Sequence, residues 1–80
     1  MLYMVIERFK NGDPGPVYAR FEKEGRLLPD GLTYLNSWVS ADRTHCYQLM
    51  ETGDPKLLDV WMDRWRDVTD FEVVDLAPND

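Results

Sequence analysis

Apolar residues recur along this chain in two rhythms. From Leu2 to Phe9 they crowd into a short run that ends at Asn11-Gly12-Asp13-Pro14, which reads as a buried strand followed by a break. Asp13 is placed to cap the free N–H groups of a helix opening at Pro14. Val17, Tyr18, Phe21 and Leu28 follow at helical spacing, with Arg20, Glu22, Lys23 and Glu24 mostly on the other face. Pro29 and Gly31 are expected to stop this helix. Leu32 to Val39 and Arg43 to Glu51 read as two strands joined by a hairpin-type turn at Ser40-Ala41-Asp42. Gly53-Asp54-Pro55 opens a second helix. Leu57, Leu58, Trp61, Met62, Trp65 and Val68 make it the most amphipathic stretch of the chain. Phe71 to Leu76 reads as a last strand.

Gly-Asp-Pro thus occurs twice in register with the same order of elements, since Gly12 to Pro14 and Gly53 to Pro55 each follow a strand and open a helix. Two βαβ halves of this kind interleave into the ferredoxin-like α+β fold, βαββαβ, with a four-stranded antiparallel sheet and both helices on one face. Strands one and three are then central. One domain is expected over residues 1–77, with 78–80 as a loose tail.

The other face of such a sheet is bare. Side chains alternate along a strand, so Tyr3, Val5, Glu7 and Phe9 share one face of strand one. Cys46, Gln48 and Met50 share one face of strand three. Glu7 and Gln48 are polar groups at mid-strand, which assigns their two sets to the bare face. Tyr34, Asn36 and Trp38, with Glu72, Val74 and Leu76, are expected beside them. Such a face is rich in apolar groups and calls for cover. A homodimer with Tyr3, Val5, Phe9, Trp38, Met50 and Val74 in its interface follows, with a partly polar cavity between the paired sheets.

Composition supports self-association. A domain of 80 residues buries only about 60–65% of its unfolded surface, and small scaffolds of this kind usually add a disulfide, a metal or a partner. Cys46 is the one cysteine, so no disulfide forms within the chain, and a lone thiol suits a reducing cytoplasm. With one histidine besides, no catalytic zinc set is at hand, and no metal or cofactor is expected. The net charge of −6 disfavours nucleic acid and anionic membranes as partners. LYMVI is too short for the apolar core of a signal peptide, and no segment has the length of a membrane span.

The candidate chemistry is sparse. Glu7 is the strongest candidate for a base or ligand anchor, because apolar neighbours raise a carboxyl group's pKa towards the range useful for proton transfer; its plainer role is an ion pair or a water contact. Gln48 can orient a ligand through its amide, and Asn36 and Trp38 can form a wall beside it. Trp61 and Trp65, one turn apart, read as a core stripe. Arg26 and Arg64 stand among acidic residues, where exposed salt bridges are expected. His45 and Cys46 point to opposite faces of a strand, so they make a poor nucleophile–base pair.

Four runs, MLYMVIERFKNGDPGPVY, EGRLLPDGLTYLNSWV, CYQLMETGDP and WMDRWRDVTDFEVV, resemble the family called domain of unknown function 3303. The resemblance covers nearly the whole chain. It implies a ferredoxin-like domain of the dimeric α/β-barrel type and carries no activity with it. Two readings stand. One is a homodimeric binding or interaction module with a small-molecule cavity. The other is a cofactor-free enzyme of isomerase, monooxygenase or lyase type, acting on a small apolar substrate with Glu7 as base and Asn36, Trp38 and Gln48 as positioning groups. Whether the protein is an enzyme is left open by the residues.

Overall fold

The structure, a computed structural model, describes residues 1–78. Strand β1 (Leu2–Phe9) is followed by a 3-10 turn (Lys10–Gly12), helix α1 (Gly15–Glu24), strands β2 (Thr33–Val39) and β3 (His45–Glu51), helix α2 (Lys56–Asp63) and strand β4 (Thr69–Leu76). The antiparallel sheet has the order β2-β3-β1-β4. This is the ferredoxin-like arrangement, with β1 and β3 at the centre. The tail expected over 78–80 lies mostly outside the described residues. Among those described, no helix is long and apolar enough to cross a membrane.

Local chemistry sets the element ends. Asp13 Oδ1 accepts a hydrogen bond from the Gly15 amide at 2.9 Å and Pro14 already has helical φ and ψ, so α1 starts at the first Gly-Asp-Pro. It ends at Gly25, φ 73°, four residues before the expected Pro29 stop. The glycine enters the left-handed region at little cost and closes the last turn through its N–H to Phe21 O. Helix α2 is also shorter than its apolar stripe. Past Asp63 the chain continues in tight turns, with Trp65 N–H on Met62 O and Val68 N–H on Trp65 O. Trp65 stays buried nonetheless.

The hairpin between β2 and β3 turns around Asp42. Its Oδ1 accepts from the Ser40 and Thr44 hydroxyls, both at 2.7 Å, and from the Thr44 amide at 3.1 Å. Those bonds pull the Asp42 carboxyl down to about 2. Within β2 the register shifts between Tyr34 and Asn36: one extra residue forms a bulge, and the strand's alternation resets across it.

The core lies between the helices and one face of the sheet. That face carries Tyr3, Val5, Glu7 and Phe9 from β1 with Cys46, Gln48 and Met50 from β3, all buried. The assignment of faces made from mid-strand polarity is therefore reversed on both central strands. Tyr3, Val5, Phe9 and Met50 are core residues and not an exposed interface. The bare face carries Leu2, Met4 and Ile6, paired through the ladders with Leu49 and Tyr47 on one side and Leu76, Val74 and Glu72 on the other. Asn36 and Trp38 lie on this face too, opposite Leu49 and Tyr47. Tyr34, before the bulge, pairs with Met50 and packs against the core.

Candidate functional site

Glu7 stands in the middle of β1, directly opposite Cys46 of β3 and Phe71 of β4. A carboxyl at the centre of a core face needs partners. Gln48, one pleat further along β3, donates from Nε2 to Glu7 Oε2 at 2.9 Å, and the Cys46 thiol lies beside the carboxyl on the neighbouring strand. Glu7 and Gln48 each precede the Gly of their Gly-Asp-Pro by five residues. Because the two central strands are antiparallel neighbours, these equivalent positions of the two halves meet.

The trio is buried, with Glu7 at 4% and Gln48 at 6% exposure. Burial pushes the Glu7 carboxyl up from its ordinary 4.5, against the opposing pull of the Gln48 amide, the Cys46 thiol and the more distant Arg26 charge. Burial and the adjacent Glu7 push the Cys46 thiol up to about 12, which removes it as a nucleophile at neutral pH. Gln48 Oε1 is buried and has no hydrogen-bond partner.

Above the trio lies a pocket of about 170 Å³. Phe9, Val17 and Phe21 border it on the α1 side, and Trp61 and Trp65 on the α2 side. Arg26, in the connection from α1 to β2, completes the wall. Its carbonyl accepts the indole N–H of Trp61 at 2.9 Å and of Trp65 at 3.2 Å. These two bonds tie the connection to α2. The Arg26 guanidinium lies over the ring of Tyr34, 3.6 Å from its centroid, and 5.1 Å from the centroid of Phe21. Neither Arg26 nor Arg64 forms the expected salt bridge among the described residues: the Arg64 guanidinium donates to Leu27 O at 2.7 Å.

Of the four residues proposed to surround a ligand, the structure brings together Glu7 and Gln48. It puts Asn36 and Trp38 on the far side of the sheet, where Asn36 Oδ1 accepts from the neighbouring Ser37 amide and Trp38 is half exposed. Ser37, on the pocket side after the bulge, takes the place expected for Asn36. The cavity that the structure holds lies within one chain, between sheet and helices. His45 and Cys46 do point to opposite faces, and His45 stacks on Tyr47 across the bare side.

An antiparallel βαββαβ sheet covered on one face, with a buried polar trio under its helices, defines a ferredoxin-like α+β domain with an internal pocket. The sequence pattern of the family described as domain of unknown function 3303 matches residues 1–76, and the chain belongs to that family. No curated protein and no solved structure matches it.

Proposed function

We propose that the protein binds a small organic molecule in the pocket over Glu7 and Gln48, and that it does so as a homodimer joined through the bare sheet faces. One observation carries the binding reading. Gln48, whose buried Oε1 lacks a partner, lines a cavity walled mainly by aromatic and aliphatic groups. Small-ligand sites combine apolar walls with a few convergent polar atoms in this way, and an unsatisfied buried acceptor costs about 1–3 kcal/mol that a bound donor recovers. The volume of about 170 Å³ suits a single ring, since a cavity of about 150 Å³ holds benzene.

The dimer reading is supported by the bare face. Leu2, Met4, Ile6, Tyr47, Leu49 and Leu76 are partly exposed on it, and Trp38 and Val74 are exposed. Four strands spaced about 4.8 Å apart present roughly 300 Å² in flat projection over five residues each, and more in accessible area, the size at which an apolar patch marks an interface.

Phenol is the test probe for the pocket. Titration followed by backbone NMR is expected to move the amides of Glu7, Cys46 and Gln48 and to leave those of Met4 and Tyr47 in place. Shifts confined to the bare face, or none at all, overturn the binding reading. Light scattering over a wide concentration range is expected to give twice the chain mass, and Leu49→Asp to give the single chain. A wild-type protein that stays monomeric ends the dimer reading.

The raised Glu7 carboxyl favours a second reading, a cofactor-free enzyme with Glu7 as its base. Against an identified substrate, Glu7→Gln is then expected to abolish turnover while the pocket still binds. Full activity in that variant removes Glu7 from the chemistry.

A further inference from the structure

We propose that the ligand is a small planar carboxylate carrying a hydroxyl or N–H group at its other end, with the carboxylate on Arg26 and the donor on Gln48 Oε1. This rests on the binding reading above and specifies its chemistry.

The pocket is polar at two places, and their polarities are opposite. On the sheet, Glu7 and the unpartnered Gln48 Oε1 supply acceptors, so this end calls for a donor. At the wall, Arg26 supplies a permanent cation. Among the described residues its guanidinium donates no hydrogen bond and has no carboxylate within 4.0 Å, whereas Arg8, Arg20 and Arg66 all have acidic partners. Arg26 differs from the other arginines without an acid among the described residues by its place at the pocket wall, and a forked donor is the side chain best suited to a carboxylate. The group is also held in place. The Trp61 and Trp65 indoles fix its backbone carbonyl, and the Tyr34 ring supports the plane of its guanidinium. Between acceptors and cation the walls are Phe9, Phe21, Trp61 and Trp65, which favour a flat, apolar middle. Cys46 is adjacent but takes no covalent part, since its thiol stays protonated.

The test compares phenol, benzoate and 4-hydroxybenzoate on the wild-type protein by calorimetry at low salt and neutral pH. 4-Hydroxybenzoate is expected to bind at least tenfold more tightly than phenol and more tightly than benzoate. Arg26→Gln is expected to bring it down to the phenol level. Arg26→Lys, which keeps the charge but not the fork, is expected to fall between. Thermal melts of both variants establish that they are folded. Phenol binding at least as tightly as 4-hydroxybenzoate, or a 4-hydroxybenzoate affinity indifferent to Arg26→Gln, overturns the proposal and leaves the pocket reading standing. Failure of all three compounds to bind overturns both.

Discussion

Helices α1 and α2 cover the same face of the same sheet, yet they are attached to it in different ways. Helix α2 buries Leu58, Trp61 and Met62, and Trp65 follows it into the core. Helix α1 buries Val17 alone and leaves Tyr18 and Phe21 largely exposed. Its strongest polar attachment is Arg20, which grips Asp67 through two hydrogen bonds of 2.8 and 2.6 Å and adds a third to Arg64 O. One helix is therefore held by apolar packing and the other largely by its edge. The pocket lies where the two kinds of attachment meet, with Trp61 and Trp65 on one side and α1 and the connection that carries Arg26 on the other. A site that admits a ligand has to open, and the less densely packed part of a fold is where opening costs least.

Three substitutions and one titration grade this contrast. Trp61→Ala should have the largest effect, a loss of about 3–5 kcal/mol by the usual cost of deleting a buried aromatic, measured by urea denaturation. It also removes an indole bond to Arg26 O. Val17→Ala, the matching deletion on α1, should cost about 1–2 kcal/mol from two lost methylene equivalents. Equal losses at the two sites would erase the distinction between the helices. Arg20→Ala should cost about 1 kcal/mol or less, because its partner Asp67 is well exposed and such pairs are weak in water. The loss should shrink further in high salt. Glu7→Gln is the titration of the series, and its effect should depend on pH. The folded protein holds the Glu7 proton more tightly than the unfolded chain does. Wild-type stability from this group is thus complete below the ordinary value of 4.5 and declines as pH rises through the raised one. The variant carries no such proton, so its stability relative to wild type should climb over that window. A constant difference from pH 4 to pH 8 would mean that Glu7 is not desolvated.

The order of elements was legible because each half of the chain announces its helix with the same Gly-Asp-Pro. The four strands differ from those expected by no more than two residues at any end. The side chains' directions were harder to read. Treating a polar residue at mid-strand as outward-facing is sound when it stands alone, but Glu7 and Gln48 satisfy each other across β1 and β3, and the pair is buried for that reason. Neither residue reveals this without the other's position. The reversal also separated Asn36 and Trp38 from the site, while the bulge in β2 turned Ser37 and Tyr34 inward against simple alternation. Arg26 is legible as a possible anion binder, but the acidic residues around it in sequence favour a salt bridge. In space its neighbours are aromatic rings from α1 and β2, which no local window contains. The Trp61 and Trp65 pair reads as core from spacing alone, and it is core. That its indole N–H groups hold the backbone of Arg26 follows only from the packing of α2 against the connection.

Those two indole bonds give the protein a built-in optical gauge. Trp61 and Trp65 border the pocket and grip one carbonyl, whereas Trp38 emits from the wet side of the sheet, so the blue part of the emission band reports on the pocket and the red part on the open face. A ring entering beside Phe9 and Phe21 should dim the first component and leave the second untouched. Joining of two sheets should do the reverse, shifting the second to shorter wavelength with the first unchanged. Occupancy of the pocket and pairing of the faces can thus be followed separately in one cuvette, without a label.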